Sequence, residues 1–279
     1  MEEYLKKLTP KDIKEMDYNE IIAITKETNR PPGGLSSLIT IINTIMINDK
    51  KRILEIGTST GFTALELCRI TGCKVYGVDI NKLAIKEAST RAKKLKIKNA
   101  YFKIGNVEKL KFQDNYFDVV IVGNIFSLVK NKKKALSECK RVLKDNGYLV
   151  AIPMYYIKNP PKKIVSEVSS AIKVPIRVLR KSEWEVFLRD SNLEFFRVFD
   201  YMFEYVPNYK IKSFVNKILS AEHLKILKEE TRKALRKRYF QFIKLFRDNL
   251  SYMGYSIFIL RKNNLPFDEE LFIGKEVRR

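Results

Sequence analysis

Residues 53–63 read Ile53-Leu54-Glu55-Ile56-Gly57-Thr58-Ser59-Thr60-Gly61-Phe62-Thr63, so that an apolar strand, a glycine turn and a helix start follow one another. Gly57 lets a backbone come close to a ligand. Gly61 lets the following helix pack tightly while its unpaired amide groups face the bound molecule. The pattern predicts a loop that binds a nucleotide cofactor. Its spacing, Glu-x-Gly-x-x-x-Gly, differs from the Gly-x-Gly-x-x-Gly of dinucleotide enzymes.

On both sides of this loop, short apolar runs alternate with helical patterns, which predicts right-handed crossovers and a parallel sheet. The predicted parallel strands cover 52–56, 74–78, 100–104, 117–122 and 147–152. Two later strands, near 194–205 and 255–260, bring the sheet to seven. We therefore expect an α/β fold with a Rossmann-like, doubly wound, seven-stranded sheet.

The remaining segments are helical in pattern and flank this core. Residues 1–50 predict an N-terminal helical lead-in or lid, with a break at Pro31-Pro32-Gly33-Gly34. Residues 51–208 form the predicted cofactor-binding core. Residues 209–250, in which apolar side chains recur every three or four positions, predict a helical insertion that caps the substrate side. Residues 251–279 contain the last strand and a C-terminal tail.

The composition of the 279 residues narrows the class of protein. Hydrophobic residues make up 45% of the chain, which is enough for a sizeable core. The start of the chain is acidic and no apolar run reaches the roughly 18 residues of a membrane span, so we expect a cytoplasmic protein. One histidine and three cysteines without a Cys-x-x-Cys spacing indicate neither a disulfide framework nor a metal site. The net charge of +22 would attract a polyanion, but it is spread along the chain and favours a general compositional bias.

An acidic residue, Asp79, ends the second predicted strand, 22 positions after Gly57. A carboxylate at this place can accept hydrogen bonds from both hydroxyls of a bound ribose. Because NAD enzymes share the spacing, it leaves the kind of nucleotide open.

The segments after the third predicted strand are more specific. They read Gly105-Asn106-Val107-Glu108-Lys109-Leu110-Lys111-Phe112 and Asn115-Tyr116-Phe117-Asp118-Val119-Val120. With the glycine loop, these segments resemble the class I S-adenosylmethionine-dependent methyltransferases, and most closely the small-molecule group that includes the ubiquinone and menaquinone methyltransferases. The resemblance covers about residues 51–152.

The resemblance implies S-adenosyl-L-methionine as the methyl donor. It also implies a role for each matching position: Asp79 binds the ribose, Asn106 binds the adenine amino group in place of the family's acid, and Glu55 helps to orient the methionine part. Gly123 and Asn124 would face the transferred methyl group. The full set of expected cofactor-binding residues is Glu55, Gly57, Thr58, Ser59, Gly61, Phe62, Asp79, Ile80, Asn106, Val107, Gly123 and Asn124.

Methyl transfer from a sulfonium is an in-line displacement, so a general base is needed only when the nucleophile must lose a proton. The sequence offers weak catalytic candidates in Tyr155 and Asn124. Tyr155 and its neighbour Tyr156 are equally compatible with simple lining of an apolar pocket. His223 is interpreted as a packing or surface residue.

Three functions remain open at this point. The leading one is methylation of a small or medium-sized acceptor under the helical cap. The second is an RNA or protein methyltransferase that uses the basic cluster of the insertion, Arg232, Lys233, Arg236, Lys237 and Arg238. The third is a cofactor-binding protein without turnover, against which the intact Gly57, Gly61 and Asp79 argue.

Overall fold

The computed structural model describes residues 2–263, which contain eleven α-helices and eight β-strands. The helices are α1 (Glu2–Lys7), α2 (Pro10–Glu15), α3 (Tyr18–Thr25), α4 (Gly34–Ile45), α5 (Phe62–Thr71), α6 (Lys82–Lys94), α7 (Lys132–Val142), α8 (Lys162–Ile172), α9 (Lys181–Arg189), α10 (Asn208–Leu219) and α11 (Glu229–Leu250). The strands are β1 (Arg52–Ile56), β2 (Lys74–Asp79), β3 (Ala100–Ile104), β4 (Phe117–Val122), β5 (Leu143–Ala151), β6 (Met154–Tyr156), β7 (Glu194–Met202) and β8 (Met253–Arg261). Short 3₁₀ helices cover Asn124–Ser127 and Glu222–Leu224.

The strands form one mixed sheet. Five parallel strands lie in the order β3-β2-β1-β4-β5, and β8 follows in the antiparallel direction with β7 on its far side. The predicted α/β class and the parallel core are confirmed.

The sheet has one strand more than expected. The short β6 pairs with Met253–Tyr255 of β8 and so continues the edge that β5 occupies further along β8. Pro153 separates β5 from β6. Because proline has no backbone N–H to donate, the ladder stops there and resumes one residue later.

Both faces of the sheet are covered, as a doubly wound fold requires. On one face, Leu54 and Ile56 of β1 pack with buried residues of α7 and α9. On the other face, Ile53 packs with buried residues of α4 and α5. The alternation of side chains along β1 thus serves two cores at once.

A third hydrophobic cluster joins the two ends of the chain. Leu5, Ile13 and Ile21 from the first three helices are buried against Leu235 and Tyr239 of α11. The predicted lead-in of residues 1–50 is therefore divided: α1–α3 pack with the helical insertion, whereas α4 covers the sheet. We call α1–α3, α10 and α11 the helical body.

The insertion lies between β7 and β8, where the sequence places it. The buried Arg247, near the end of the insertion, is bonded to its start. Arg247 Nη1 donates to the carbonyl of Val206 at 3.0 Å and to Asn208 Oδ1 at 2.7 Å. From the predicted segment 251–279 the structure describes residues 251–263, which contain β8, and residues 264–279 lie outside the described part. Within residues 2–263, no helix combines the length and the apolar character needed to cross a membrane.

Candidate functional site

The glycine loop between β1 and α5 is fastened to the end of β2. The amides of Gly57 and Thr58 both donate to the carbonyl of Val78, at 2.8 and 3.1 Å. The amide of Ser59 donates to Asp79 Oδ2 at 2.9 Å. The loop and the predicted ribose-binding carboxylate are thus one hydrogen-bonded unit.

The two glycines of the loop are required for different reasons. A Cβ on Gly57 would lie 2.2 Å from Ile125 Cδ1, which extends from the 3₁₀ helix after β4. A Cβ on Gly61 would lie 3.0 Å from both Ala88 and Phe102. Both glycines also have positive φ angles, 73° and 85°. Gly57 therefore permits the close approach of the β4 side, and Gly61 permits packing of α5 against α6 and β3.

Glu55 is buried, with 6% of its surface exposed, and its carboxylate holds the loop against α5. Its Oε2 accepts hydrogen bonds from Thr58 Oγ1 at 2.5 Å and from the amide of Ala64 at 3.1 Å. Burial raises the pKa of Glu55 to about 7, and these two hydrogen bonds oppose the shift. Glu55 is thus first of all a structural anchor of the loop.

Asp79 and Asn106 lie at the carboxyl ends of two neighbouring strands. Asp79 Oδ1 accepts from the amide of Asn81 at 2.9 Å, and its carbonyl accepts from the amide of Gly105 at 3.0 Å. Asn106 Oδ1 accepts from the amide of Glu108 at 2.9 Å. Beside Asp79, the side chain of Ile80 is 76% exposed. These residues form a shelf beside the glycine loop.

A cavity of about 1580 Å³ opens between the sheet and the helical body. Half of the predicted cofactor-binding residues line it, namely Glu55, Gly57, Thr58, Ser59, Gly123 and Asn124. The other half lie outside its lining: Gly61, Phe62, Asp79, Ile80, Asn106 and Val107. The site thus has a deep part beside the loop and a shallow shelf at the ends of β2 and β3.

Asn124 connects two strands at the floor of the cavity. Its Oδ1 accepts from Ser127 Oγ at 2.8 Å and from the amide of Met154 at 3.1 Å. Next to it, a Cβ on Gly123 would meet no atom within 4 Å. The backbone at Gly123 therefore faces open space, while the Asn124 carboxamide braces β4 against β6.

The two predicted tyrosines point in opposite directions. Tyr155 is absent from the cavity lining, and its hydroxyl donates to Ser256 Oγ at 2.8 Å, which in turn donates to Asp200 at 2.6 Å. Tyr156 lines the cavity, and its hydroxyl donates to Asn249 Oδ1 at 2.9 Å. Side chains alternate along β6, so the side chain of Tyr155 packs in the core while that of Tyr156 lines the cavity.

The wall opposite the glycine loop is apolar. It is formed by side chains from α8, α10 and α11, which are Val168, Ile172, Ile211, Phe214, Ile243, Phe246 and Leu250. His223, by contrast, is outside the cavity lining, where its Nε2 lies 3.0 Å from the carbonyl of Ile24. The helical insertion thus contributes a mainly apolar surface, to which Arg247 and Asn249 of α11 add polar groups.

The cavity residues that the sequence reasoning missed include Tyr18, Glu27 and Arg30 of the N-terminal segment. The hydroxyl of Tyr239 on α11 donates to Glu27 Oε2. Burial raises the pKa of Glu27, and burial together with the Glu27 charge raises the pKa of Tyr18. The Pro-Pro-Gly-Gly break at residues 31–34 is the sequence signal that could have indicated these residues, because it predicts a non-helical segment between two helices.

Three of the five residues of the insertion's basic cluster contact other groups of the protein, whereas Arg236 and Lys237 are exposed. Arg238 donates from Nη2 to the carbonyl of Met16 at 3.0 Å, and its guanidinium lies 4.3 Å from the ring centroid of Phe242. Arg232 and Lys233 each lie 3.6 Å from a carboxylate oxygen of Glu229. The cluster is thus not a continuous free surface. Within residues 2–263, no three His, Cys, Asp or Glu side chains group as metal ligands.

Fold and site together define a class of protein. The sheet order, the antiparallel last pair and the glycine loop bonded to the acid of β2 are those of the Rossmann-like, S-adenosylmethionine-dependent methyltransferases.

Comparison with known proteins leads to the same class of protein. The sequence model of the family described as "Methyltransferase domain" matches residues 47–192, just over half of the chain, and the chain belongs to this family. It is an enzyme that uses S-adenosyl-L-methionine as its cofactor.

Three similar proteins illustrate the relationship. An uncharacterized protein of Haemophilus influenzae is 33% identical over 181 residues, which are 63% of this chain and 71% of the relative. A ubiquinone/menaquinone biosynthesis C-methyltransferase of Vibrio cholerae is 32% identical over 105 residues, but these are only 37% of this chain and 40% of that protein. The crystal structure of the MccD protein shares the fold, with a TM-score of 0.72 and 24% identity over 85% of this chain and all of that chain.

Proposed function

We propose that the protein transfers a methyl group from S-adenosylmethionine to a small or medium-sized apolar acceptor that binds in the cavity. The cavity carries the proposal. Its volume of about 1580 Å³ exceeds the roughly 300–1,000 Å³ of an ordinary ligand pocket, so it accommodates donor and acceptor together. The glycine loop forms one wall and the apolar insertion forms the other.

The residues of the shelf fit the adenosine part of the cofactor. Each oxygen of Asp79 accepts one backbone N–H, which leaves lone pairs for the two ribose hydroxyls. Asn106 Oδ1 likewise has a lone pair for the adenine amino group, which supports this amide as a substitute for an acid. The exposed side chain of Ile80 offers an apolar surface to the adenine ring, whereas Val107 is buried.

The glycine loop fits the methionine part. We assign the contacts with it to Gly57, Thr58 and Ser59, which line the cavity, and a positioning role to Gly61 and Phe62, which shape the start of α5. Glu55 acts through the loop, because Thr58 and Ala64 already occupy its Oε2.

The cofactor supplies an activated methyl group on a positively charged sulfur. The protein's part is to hold the acceptor about 3 Å from that methyl group, in line, and to exclude water. Gly123 leaves room for the reacting groups, and Asn124 holds β4 and β6 together beside them. The apolar side chains of α10 and α11 exclude water from the acceptor.

A macromolecular acceptor is less well supported. Phosphate contacts need cations that are free to approach a backbone, whereas Arg232, Lys233 and Arg238 are engaged with Glu229, Met16 and Phe242.

The test is transfer of a labelled methyl group into a cell extract that is afterwards separated into organic-soluble, RNA and protein fractions. We expect the label in the organic-soluble fraction. Ile243→Trp, which fills the cavity, should remove that label while cofactor binding persists. Lys244→Trp, an exposed neighbour on α11, should have no effect. Label confined to RNA or protein would contradict the proposal.

A further inference from the structure

Residues 26–33, between α3 and α4, form a wall of the cavity next to the glycine loop. Glu27, Arg30 and Pro31 line the same cavity as Gly57 and Ser59. We call residues 26–33 the covering segment.

Arg91 of α6 fastens the covering segment to the loop. Its Nη1 donates to Thr28 Oγ1 at 2.9 Å and to Thr60 Oγ1 at 3.1 Å, and its Nη2 donates to the carbonyl of Lys26 at 2.9 Å. Its Nε donates to Glu87 Oε1 at 3.1 Å, which orients the guanidinium. One side chain therefore holds residues on both sides of Glu27 against the glycine loop.

Glu27 and Arg30 bring opposite charges to this wall. The Glu27 carboxylate is steadied by Tyr239, which donates to Oε2 alone. The guanidinium of Arg30 lies 5.1 Å from the ring centroid of Phe62, the first residue of α5. Arg30 lies near enough to Glu27 to lower its pKa, yet the two form no salt bridge in the described part of the chain. Each charge is thus available to a ligand.

We propose that Glu27 and Arg30 bind the amino-acid end of S-adenosylmethionine, Glu27 its α-ammonium group and Arg30 its α-carboxylate. The inference rests on the proposed cofactor site. The amino-acid end carries one positive and one negative charge, and the covering segment presents the complementary pair beside the loop that we assign to the methionine part. Glu55 and Glu27 both line the cavity, but Glu55 has one oxygen doubly occupied by Thr58 and Ala64, whereas Glu27 accepts a single hydroxyl.

The experiment is calorimetric titration of the intact chain with two probes. S-adenosylhomocysteine keeps the amino-acid end, and 5′-methylthioadenosine lacks it. Glu27→Gln and Arg30→Gln should each weaken S-adenosylhomocysteine binding by roughly tenfold to a hundredfold, the scale of a lost hydrogen bond to a charged group. Both variants should bind 5′-methylthioadenosine within about twofold of wild type, because the missing contacts do not reach it. Lys26→Gln removes a neighbouring charge and should change neither affinity.

The outcomes separate the two levels of the inference. An unchanged affinity for S-adenosylhomocysteine in a variant overturns the assignment of that residue, and an equal loss for both probes overturns it by showing a structural role. Wild-type protein that binds neither probe overturns the proposed cofactor site itself.

Discussion

The carboxylate of Asp79 accepts a hydrogen bond from the amide of Ser59, and we propose that it also binds the ribose of the cofactor. We expect Asp79→Ala to weaken S-adenosylmethionine binding by about 1.5–3 kcal/mol, since hydrogen bonds to a charged acceptor are lost. Calorimetric titration measures this change. Asp49→Ala, an exposed carboxylate outside the cavity lining, is the matched control and should bind normally. Normal binding by Asp79→Ala would refute the ribose assignment.

Glu55 makes stability depend on pH. Its pKa is about 7 in the folded protein against an ordinary value of 4.5, so the folded state holds an extra proton between these values. The contribution of this group is therefore complete below pH 4.5 and is lost as the pH rises through 7, by about 3 kcal/mol. Glu55→Gln cannot titrate.

Urea unfolding of wild type and Glu55→Gln at pH 5 and pH 8 measures the effect. The difference in unfolding free energy between the two proteins should shift by that amount, in favour of Glu55→Gln at pH 8. A difference that stays constant from pH 5 to pH 8 would show that Glu55 titrates outside this range.

At the scale of single residues, the sequence predicts side chains whose role depends on local spacing. Gly57, Gly61 and Asp79 are such residues; the hydrogen bond that joins the loop to Asp79 was not predicted and is seen only in the structure. The sequence could not predict that Tyr155 points into the core and Tyr156 into the cavity, because the direction of each side chain depends on which residues pair in β6. The place of Glu27 in the cavity could not be predicted from the sequence, because its hydrogen-bond partner Tyr239 lies 212 positions away.

Among the elements, the covering segment depends on one arginine. Arg91→Met should release it, since three hydrogen bonds to residues 26, 28 and 60 are lost. We expect faster amide hydrogen exchange in residues 26–33, corresponding to about 1–3 kcal/mol of lost protection. Hydrogen-exchange mass spectrometry measures it.

The matched control is Arg69→Met. Arg69 pairs with Glu66 one turn away, and its side chain is 60% exposed, so exchange in the covering segment should stay unchanged. Equal exchange in Arg91→Met and wild type would mean that the covering segment is held by its apolar contacts instead.

The helices and strands of the core could be predicted from periodicity, because each crossover is a local pattern of buried positions. Periodicity did not predict that α1–α3 pack with the insertion while α4 covers the sheet. An apolar stripe predicts that one face of a helix is buried, but it does not predict which element covers that face. The stripes of α1–α3 and of α4 are therefore similar in sequence, although the helices pack in different hydrophobic clusters. The contact of α2 with α11 joins segments more than two hundred residues apart.

At the scale of the whole molecule, the cavity lies between two bodies with separate cores, the sheet and the helical body. A ligand that touches both should stabilise both, because it binds only when they are folded and closed. We expect saturating S-adenosylhomocysteine to slow hydrogen exchange in the glycine loop and also in α11 around Tyr239. Saturating 5′-methylthioadenosine should protect the loop alone. Identical protection patterns for the two compounds would contradict this coupling through Glu27.

The position of the insertion within the sheet has a consequence for how such enzymes diverge. The chain leaves the sheet after Met202 and returns at Met253, and Met202 pairs with the next residue, Gly254. Because both ends are anchored side by side, the intervening residues can lengthen, shorten or be replaced without straining the strands. The insertion, which we propose as the cap over the acceptor, can thus be exchanged while the parallel part of the sheet stays unchanged. Since α2 and α3 pack against α11, a working graft has to carry the first helices of the chain along with the insertion.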